Sequence, residues 1–277
     1  MLEWLYEPFS LPFVQRGLLE VLVLSVGTGL VGTWIVLRGL AFYSHAVGTA
    51  AFPGLVLAGG LGFAAPLGAL ASAVVFAGAL ERLARGRRSG YDSLTALVLV
   101  GMLALGVILA SDVFFSGASV DTLLFGGLLL IGRGDVFFAA VASAVAFIAS
   151  YYFGRAWLAA GFDPGAARSL GLRSNVPDAA LLLLIVLVGT AALAAVGAIL
   201  VTTLLVVPAA TARLFTRRML PWQLASVALV VAEGVPGLWL SVQTNAPPGA
   251  TIAMLSGGVF ALSLIARRLM PGGGLYR

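Results

Sequence analysis

Residues Gly17–Leu37 run for a full membrane thickness with one charged side chain, Glu20, and stop at Arg38. About 20 apolar residues in a helix cross the hydrocarbon core, and about 17 are tolerated. A backbone inside lipid finds no water to bond to, so it must satisfy its own N–H and C=O groups, which an α-helix does. The pattern recurs at Leu40–Leu57, Phe63–Leu80, Leu94–Ala110, Val136–Phe153, Ala179–Val196, Ala198–Ala212, Leu224–Val242 and Ala250–Ala266. These runs predict an all-α, polytopic transmembrane helical bundle of about 8–9 spans. Only 10% of the residues are charged, against about a quarter in soluble domains.

The arginines orient the bundle. Clusters within 81–92, 155–177, 213–221 and 267–277 share one side under a single threading, and positive loops stay in the cytoplasm. That threading has nine crossings and an outer N-terminus. Residues 1–16 read as an interfacial segment, with Trp4, Tyr6, Phe9 and Phe13 as aromatic anchors and with Glu3 and Glu7 where a secretory signal carries positive charge. Ala179–Ala212 is short for two complete spans and contains Gly189, Gly197 and Pro208, so it is expected as a pair of short, broken helices. Val120–Ile131 is apolar but too short to cross, and with Asp112 and Asp121 nearby it reads as a re-entrant or surface helix on the outer face. There is no internal repeat, so residues 1–277 are read as one transmembrane domain.

What the chain lacks excludes whole classes of chemistry. It has no cysteine, and all 16 of its basic residues are arginine. A phosphate-binding P-loop needs its lysine and a Schiff base needs an amine. Any ATP-driven work therefore falls to a separate polypeptide. A single histidine and no HExxH leave no catalytic constellation, so no enzymatic role is expected. The net charge of +5 reflects arginines at span ends and does not point to nucleic acid.

Inside the second span, Arg38–Gly54 reads RGLAFYSHAVGTAAFPG and holds that histidine, His45, with Thr49 one turn later on the same helix face. His45 follows Arg38 by seven residues, roughly 10 Å into the membrane at about 1.5 Å per residue. An ionisable group there is costly and marks a functional site. Two roles are open: a pathway-lining imidazole able to ligate a metal, or a ring bonded to Ser44, Thr49 or a nearby carbonyl that ties helices together. Glu233 lies ahead of Gly234-Val235-Pro236-Gly237, which is expected to break its helix, and is the first candidate for a negative charge on the pathway. Glu20 is nearer a span end, within a turn of Arg16, with which it could pair.

Arg155–Asp178 is too long for a turn. Asp163 and Pro164 resemble a helix N-cap and first helical position, Gly165 follows, and Gly171 is a C-terminal stop, with Arg168 on the cytoplasmic side. A short capped helix between two spans suits the docking of a motor subunit.

The blocks VGTWIVLRGLAFYSHAVGTAAFPG, VDTLLFGGLLLI, FDPGAARSLGL, VGAILVTTLLVVPAATARL and GLWLS followed by PPGATIAML appear in this order over nearly the whole chain. In that order they resemble the ABC-3 type permeases, the membrane subunits of manganese, zinc and iron importers. The resemblance implies a multi-pass protein of a prokaryotic plasma membrane. It implies a second permease subunit (another copy or a paralogue), ABC ATPase subunits beneath and an extracellular solute-binding protein. It also implies that FDPGAARSLGL, within a cytoplasmic loop 155–177, is the coupling helix. The cargo expected is a divalent transition metal, with ATP on the partner subunit and no cofactor on this chain. One departure stands out. The second span of the family usually reads like AFLGDALSHA, and here His45 takes the place of the aspartate and Thr49 that of the histidine. The pathway set is then Ser44, His45, Thr49 and Glu233, with His45 the metal candidate. The competing readings are an importer of another small cargo, such as a metal chelate, and an ATP-independent channel or secondary carrier.

Overall fold

The structure, a computed structural model, describes residues 7–84, 90–113, 126–127, 131–162, 175–198 and 200–269. After a 3₁₀ turn at Glu7–Ser10 come α1 (Pro12–Arg38), α2 (Ala41–Ala50), α3 (Phe52–Leu61), α4 (Ala65–Ala84) and α5 (Tyr91–Ile108). A π-helical turn, Leu109–Val113, closes α5. Then follow α6 (Arg133–Phe162), α7 (Asn175–Ala191), α8 (Leu193–Val196), α9 (Val201–Phe215), α10 (Met219–Thr244) and α11 (Pro248–Leu269). Seven segments are long and apolar enough to cross a membrane, α2 and α3 together forming one of them, and Val176–Ala191 and Val201–Phe215 are shorter apolar helices. Among the described residues there is no strand. The all-α polytopic bundle expected from the sequence is what forms, and alternation of the spans puts Arg38, Arg82, Arg155, Arg213 and Arg267 at one end.

Helix α1 runs through the middle, and its small residues explain how. A Cβ on Gly27 would sit 2.8 Å from Ser143 Oγ of α6, one on Gly29 2.7 Å from Val227 of α10, and one on Gly32 2.0 Å from the Leu205 carbonyl of α9. Three glycines thus seat three neighbours on three sides of one helix, the close approach that drives association in lipid. The crossing of α3 and α4 is tighter still: a Cβ on Gly54 would lie 1.9 Å from the Gly68 carbonyl.

Buried hydroxyl and indole groups bond to backbone carbonyls inside the bundle, as a low-dielectric interior favours. Thr28 donates to the Leu24 carbonyl at 2.7 Å and Thr190 to that of Val186 at 2.8 Å. Ser143 donates across helices to the Val23 carbonyl at 2.8 Å, and Trp222 Nε1 to that of Ala209 at 2.7 Å.

The observed bounds differ from the expected ones in four places. The first span opens at Pro12 rather than Gly17, because Phe9, Phe13, Val14 and Leu18 pack with Ile131 and Leu238 and carry the helix outward. The polar stretch from Arg155 is narrower than its composition suggests. Helix α6 continues to Phe162 because fully buried Trp157 is packed against Trp34 at 5.3 Å, and α7 begins at Asn175. The sequence around Pro236 does not break α10. Gly234 and Gly237 are filled against Val21 and Ile252, and Thr251 Oγ1 takes the Gly237 carbonyl at 2.8 Å, so neighbouring helices hold the turn that proline weakens. Of the expected outer helix 120–131, Gly126, Gly127 and Ile131 are non-helical, Gly126 at φ +79°, and the rest lies outside the described residues, as does Asp121. The pair of short helices around Gly197 is present: α7 stops at Ala191 and the single turn α8 at Val196, and Gly197 follows at φ +76°, a backbone conformation open to glycine, before α9 begins.

Candidate functional site

Helix α2 is a short, almost wholly enclosed segment, and its ends explain its length. Gly39, at φ +67°, caps α1 in the left-handed conformation and turns the chain into α2. Pro53 supplies no N–H to the turn before it, and the helix is interrupted at Ala51 before α3. Ser72 Oγ of α4 donates to the Ala50 carbonyl at 2.6 Å beside that interruption. Tyr43, Ser44, Ala46, Val47, Gly48, Thr49 and Ala50 are buried, whereas His45 is half-buried. The imidazole is therefore the most accessible polar group of this enclosed turn.

The ring of His45 faces α9. Its Nδ1 lies 3.3 Å from Thr202 Oγ1, a bond in which the tautomer decides which atom donates. Three residues further along α2, Gly48 takes the α8–α9 break in close contact: a Cβ there would lie 2.6 Å from the Ala198 carbonyl. The break is closed from its other side by Gly126, whose Cβ would come within 2.9 Å of Gly197 N. His45 and Thr202 thus meet where a span is interrupted, the kind of place where irregular backbone is tolerated at membrane depth.

The remaining candidates are distributed more widely. Thr49 is beside His45, as the spacing predicts, and its Oγ1 donates to the His45 carbonyl at 3.3 Å. Ser44 is fully buried, and its Oγ is spent on the Ala41 carbonyl at 2.8 Å. Glu233 of α10 is 2% exposed and accepts from Ser256 Oγ of α11 at 2.5 Å, while its Oε1 has no hydrogen-bond partner. It is thus engaged with α11, not with the turn of His45. Glu20 is fully buried in α1 with neither oxygen hydrogen-bonded among the described residues, and Arg16 is exposed, so the pair that the two could make is not formed. Asp163, Pro164, Gly165, Arg168 and Gly171 lie outside the described residues.

Among the described residues no group of three or more His, Asp or Glu side chains is gathered as a metal would require. Within one copy of the chain, His45 offers a single imidazole nitrogen once Nδ1 is engaged with Thr202. Bonding at Nδ1 fixes the ring plane and leaves Nε2 as the ligating atom when Nδ1 carries the proton. One imidazole nitrogen is fewer than the three or more ligands that would cage a cation. Thr202 was not among the sequence candidates. Its signal is modest, a Thr202-Thr203 pair just after Gly197 in an apolar run, and nothing local connects it to His45.

Comparison with known proteins agrees with this architecture. The profile of the ABC 3 transport family matches residues 10–267. The "Probable iron transport system membrane protein" of Haemophilus influenzae is 29% identical over 95% of this chain and 97% of its own length. The "Manganese transport system membrane protein MntC" of Halalkalibacterium halodurans is 31% identical over 92% of this chain and 87% of its own. Among solved structures, PsaBC from Streptococcus pneumoniae in complex with Fab superposes with a TM-score of 0.85 at 26% identity, covering 99% of this chain and 97% of that one.

Proposed function

The chain belongs to the ABC 3 transport family, and on that footing we propose that it is the membrane-spanning permease subunit of an ATP-driven importer for a divalent transition metal. The observation that carries the reading is the family match over residues 10–267, joined to a bundle that places His45 at an interrupted span. The two relatives' names specify iron in one case and manganese in the other, so the metal class is assigned and not the element.

In this reading residues 1–277 serve as one permease domain that works as a pair, with a second copy or a paralogue across the cargo path. A solute-binding protein delivers the metal from outside. ATPase subunits bind the arginine-rich end through Asp163, Pro164, Gly165, Arg168 and Gly171, and hydrolysis takes place on those subunits; the absence of lysine, and so of a P-loop, from this chain supports that division. His45 makes the cargo contact, with Thr49 on the same face. Ser44 and Glu233 bond to the helices that frame the path.

Charge supports a second reading. Among the described residues His45 has no ion pair with a carboxylate, and the first turn of α9 presents the positive end of a helix dipole near Thr202. Both features suit a cargo whose charge is already offset, such as a metal chelate.

Reconstitution in vesicles decides between the classes. The permease is incorporated with its cognate ATPase and solute-binding protein, and uptake of radioactive Mn²⁺, Zn²⁺ or Fe²⁺ is followed with and without ATP. ATP-dependent uptake of one of them is the expected result. Uptake that proceeds equally without the ATPase assigns the chain to channels or secondary carriers, and ATP-dependent uptake only of the chelated metal selects the second reading.

A further inference from the structure

Away from the cargo path, the arginine-rich end of the bundle contains a set of contacts that the functional reading leaves unused. Helix α6 ends at Phe162 and α7 begins at Asn175, so these two ends flank residues 163–174. Both are fastened to the corner where α1 turns into α2.

On the α6 side, Trp157 is fully buried, stands edge-on to Trp34 of α1 at 5.3 Å and donates from Nε1 to the Pro177 carbonyl of α7 at 2.7 Å. One turn later Gly161 lies flush against α1: a Cβ there would meet Leu37 at 2.9 Å and Arg38 Cδ at 3.4 Å. On the α7 side, Asp178 accepts from Arg38 Nη2 at 2.8 Å. The side chains of the pair are only 18% and 35% exposed, and Arg38 Nη1 is buried with no hydrogen-bond partner among the described residues. One turn along α7, the Leu182 carbonyl accepts from Tyr43 Oη at 3.4 Å. The start of α7 is therefore bonded on both sides of the Gly39 corner, to the last residue of α1 and to the first turn of α2. Tyr43 is two residues before His45.

We propose that Arg38 and Asp178 form a coupling latch, which carries displacement of the flanks of residues 163–174 through the Gly39 corner to the turn of α2 that bears His45. The inference rests on the assignment of 163–174 to ATPase docking made above. Arg38 and Asp178 touch neither cargo nor nucleotide in this scheme; they are positioning residues. The geometry supplies a mechanical reason. A helix end bonded on either side of the two-residue corner Gly39-Leu40 transmits its shift to the segment beyond it, because packed helices move as units rather than deforming continuously. The ion pair is the one charged link in the set. Removing either member leaves the other partly buried and unpaired, a costly state that favours separation of the two helices.

The test uses the complete permease, ATPase and binding-protein complex in vesicles, with ATP hydrolysis and metal uptake measured on the same preparation. Asp178→Asn preserves shape, Arg38→Gln keeps a polar side chain that is somewhat shorter, and each removes one charge. Each is expected to leave hydrolysis within about 2-fold of wild type and to lower metal imported per ATP about 10-fold, at the strong end for changes along a coupling network. The exchanged pair Arg38→Asp with Asp178→Arg is expected to recover most of that ratio. Tyr43→Phe, which removes one hydroxyl from an otherwise intact packing site, is expected to lower the ratio by about 2- to 3-fold and guards against a folding defect in the charge variants. An unchanged ratio in all three single variants overturns the latch, as does a parallel fall of hydrolysis and uptake. Wild-type complex that imports no metal with ATP refutes instead the transport reading on which the latch depends.

Discussion

His45 Nδ1 and Thr202 Oγ1 stand 3.3 Å apart although 157 positions separate them in the chain. The bond joins a short helix bounded by Gly39 and Pro53 to the first turn after the Gly197 break. It orients the sole imidazole of the protein and leaves Nε2 without a role in that bond.

Replacing His45 with alanine removes that nitrogen from a half-buried position without touching the glycine contacts that assemble the helices. Metal uptake is expected to fall at least about 10-fold, with the complex still eluting as one species in size-exclusion chromatography. Unchanged uptake kinetics would show that His45 only packs.

Thr202→Val keeps the volume and removes the hydroxyl. Loss of a partner that orients a metal-binding histidine is worth about 10-fold in affinity or transport, and Thr202→Ser should retain function. The two residues act as a unit, so Thr202→Val added to His45→Ala is expected to cost nothing further. Additive losses in that double variant would separate Thr202 from the histidine.

Exchanging the pair for the arrangement the family usually shows, His45→Asp with Thr49→His, puts a carboxylate and an imidazole one turn apart. A negative charge and an intermediate ligand together suit Mn²⁺ and Zn²⁺ better than imidazole and hydroxyl. Calorimetric titration of the purified permease with Mn²⁺ should show affinity raised on the order of 10-fold. Equal affinity in both proteins would mean that cargo is not held at this turn.

Glu233 offers a contrast. Its bond to Ser256 links α10 to α11, so Glu233→Ala leaves Ser256 buried and unpartnered and is expected to cost about 2–3 kcal/mol of stability. Glu233→Gln keeps an acceptor for Ser256 and should melt near the wild-type temperature, with uptake per folded complex within about 2-fold. A selective collapse of uptake in the glutamine variant, with normal melting, would place Glu233 on the cargo path after all.

Long-range packing separates what was legible in the residues from what was not. Spans bounded by Arg38, Arg82, Arg213 and Arg267 are legible because lipid imposes one rule on every residue it surrounds: the backbone must bond to itself, and charge must stay at the ends. The interruption at Gly197 is legible for a similar local reason, since two spans do not fit into that stretch. The pairing of His45 with Thr49 on one face follows from the helical period.

What the tertiary structure alone decided involves partners distant in the chain. Pro236 reads as a helix breaker, yet α10 passes through it because Val21 and Ile252 fill the glycine gaps on either side and Thr251 holds a carbonyl. Trp157 lies in a polar-looking stretch, yet burial against Trp34 keeps its turn helical. Thr202 becomes part of the site, Ser44 turns to its own helix and Glu233 is drawn to Ser256. Sequence determined that the chain crosses the membrane, roughly where, and which residues are chemically able to meet a cation. Which of them face one another was settled by the fit of glycines against side chains across helices, contacts that no local pattern encodes.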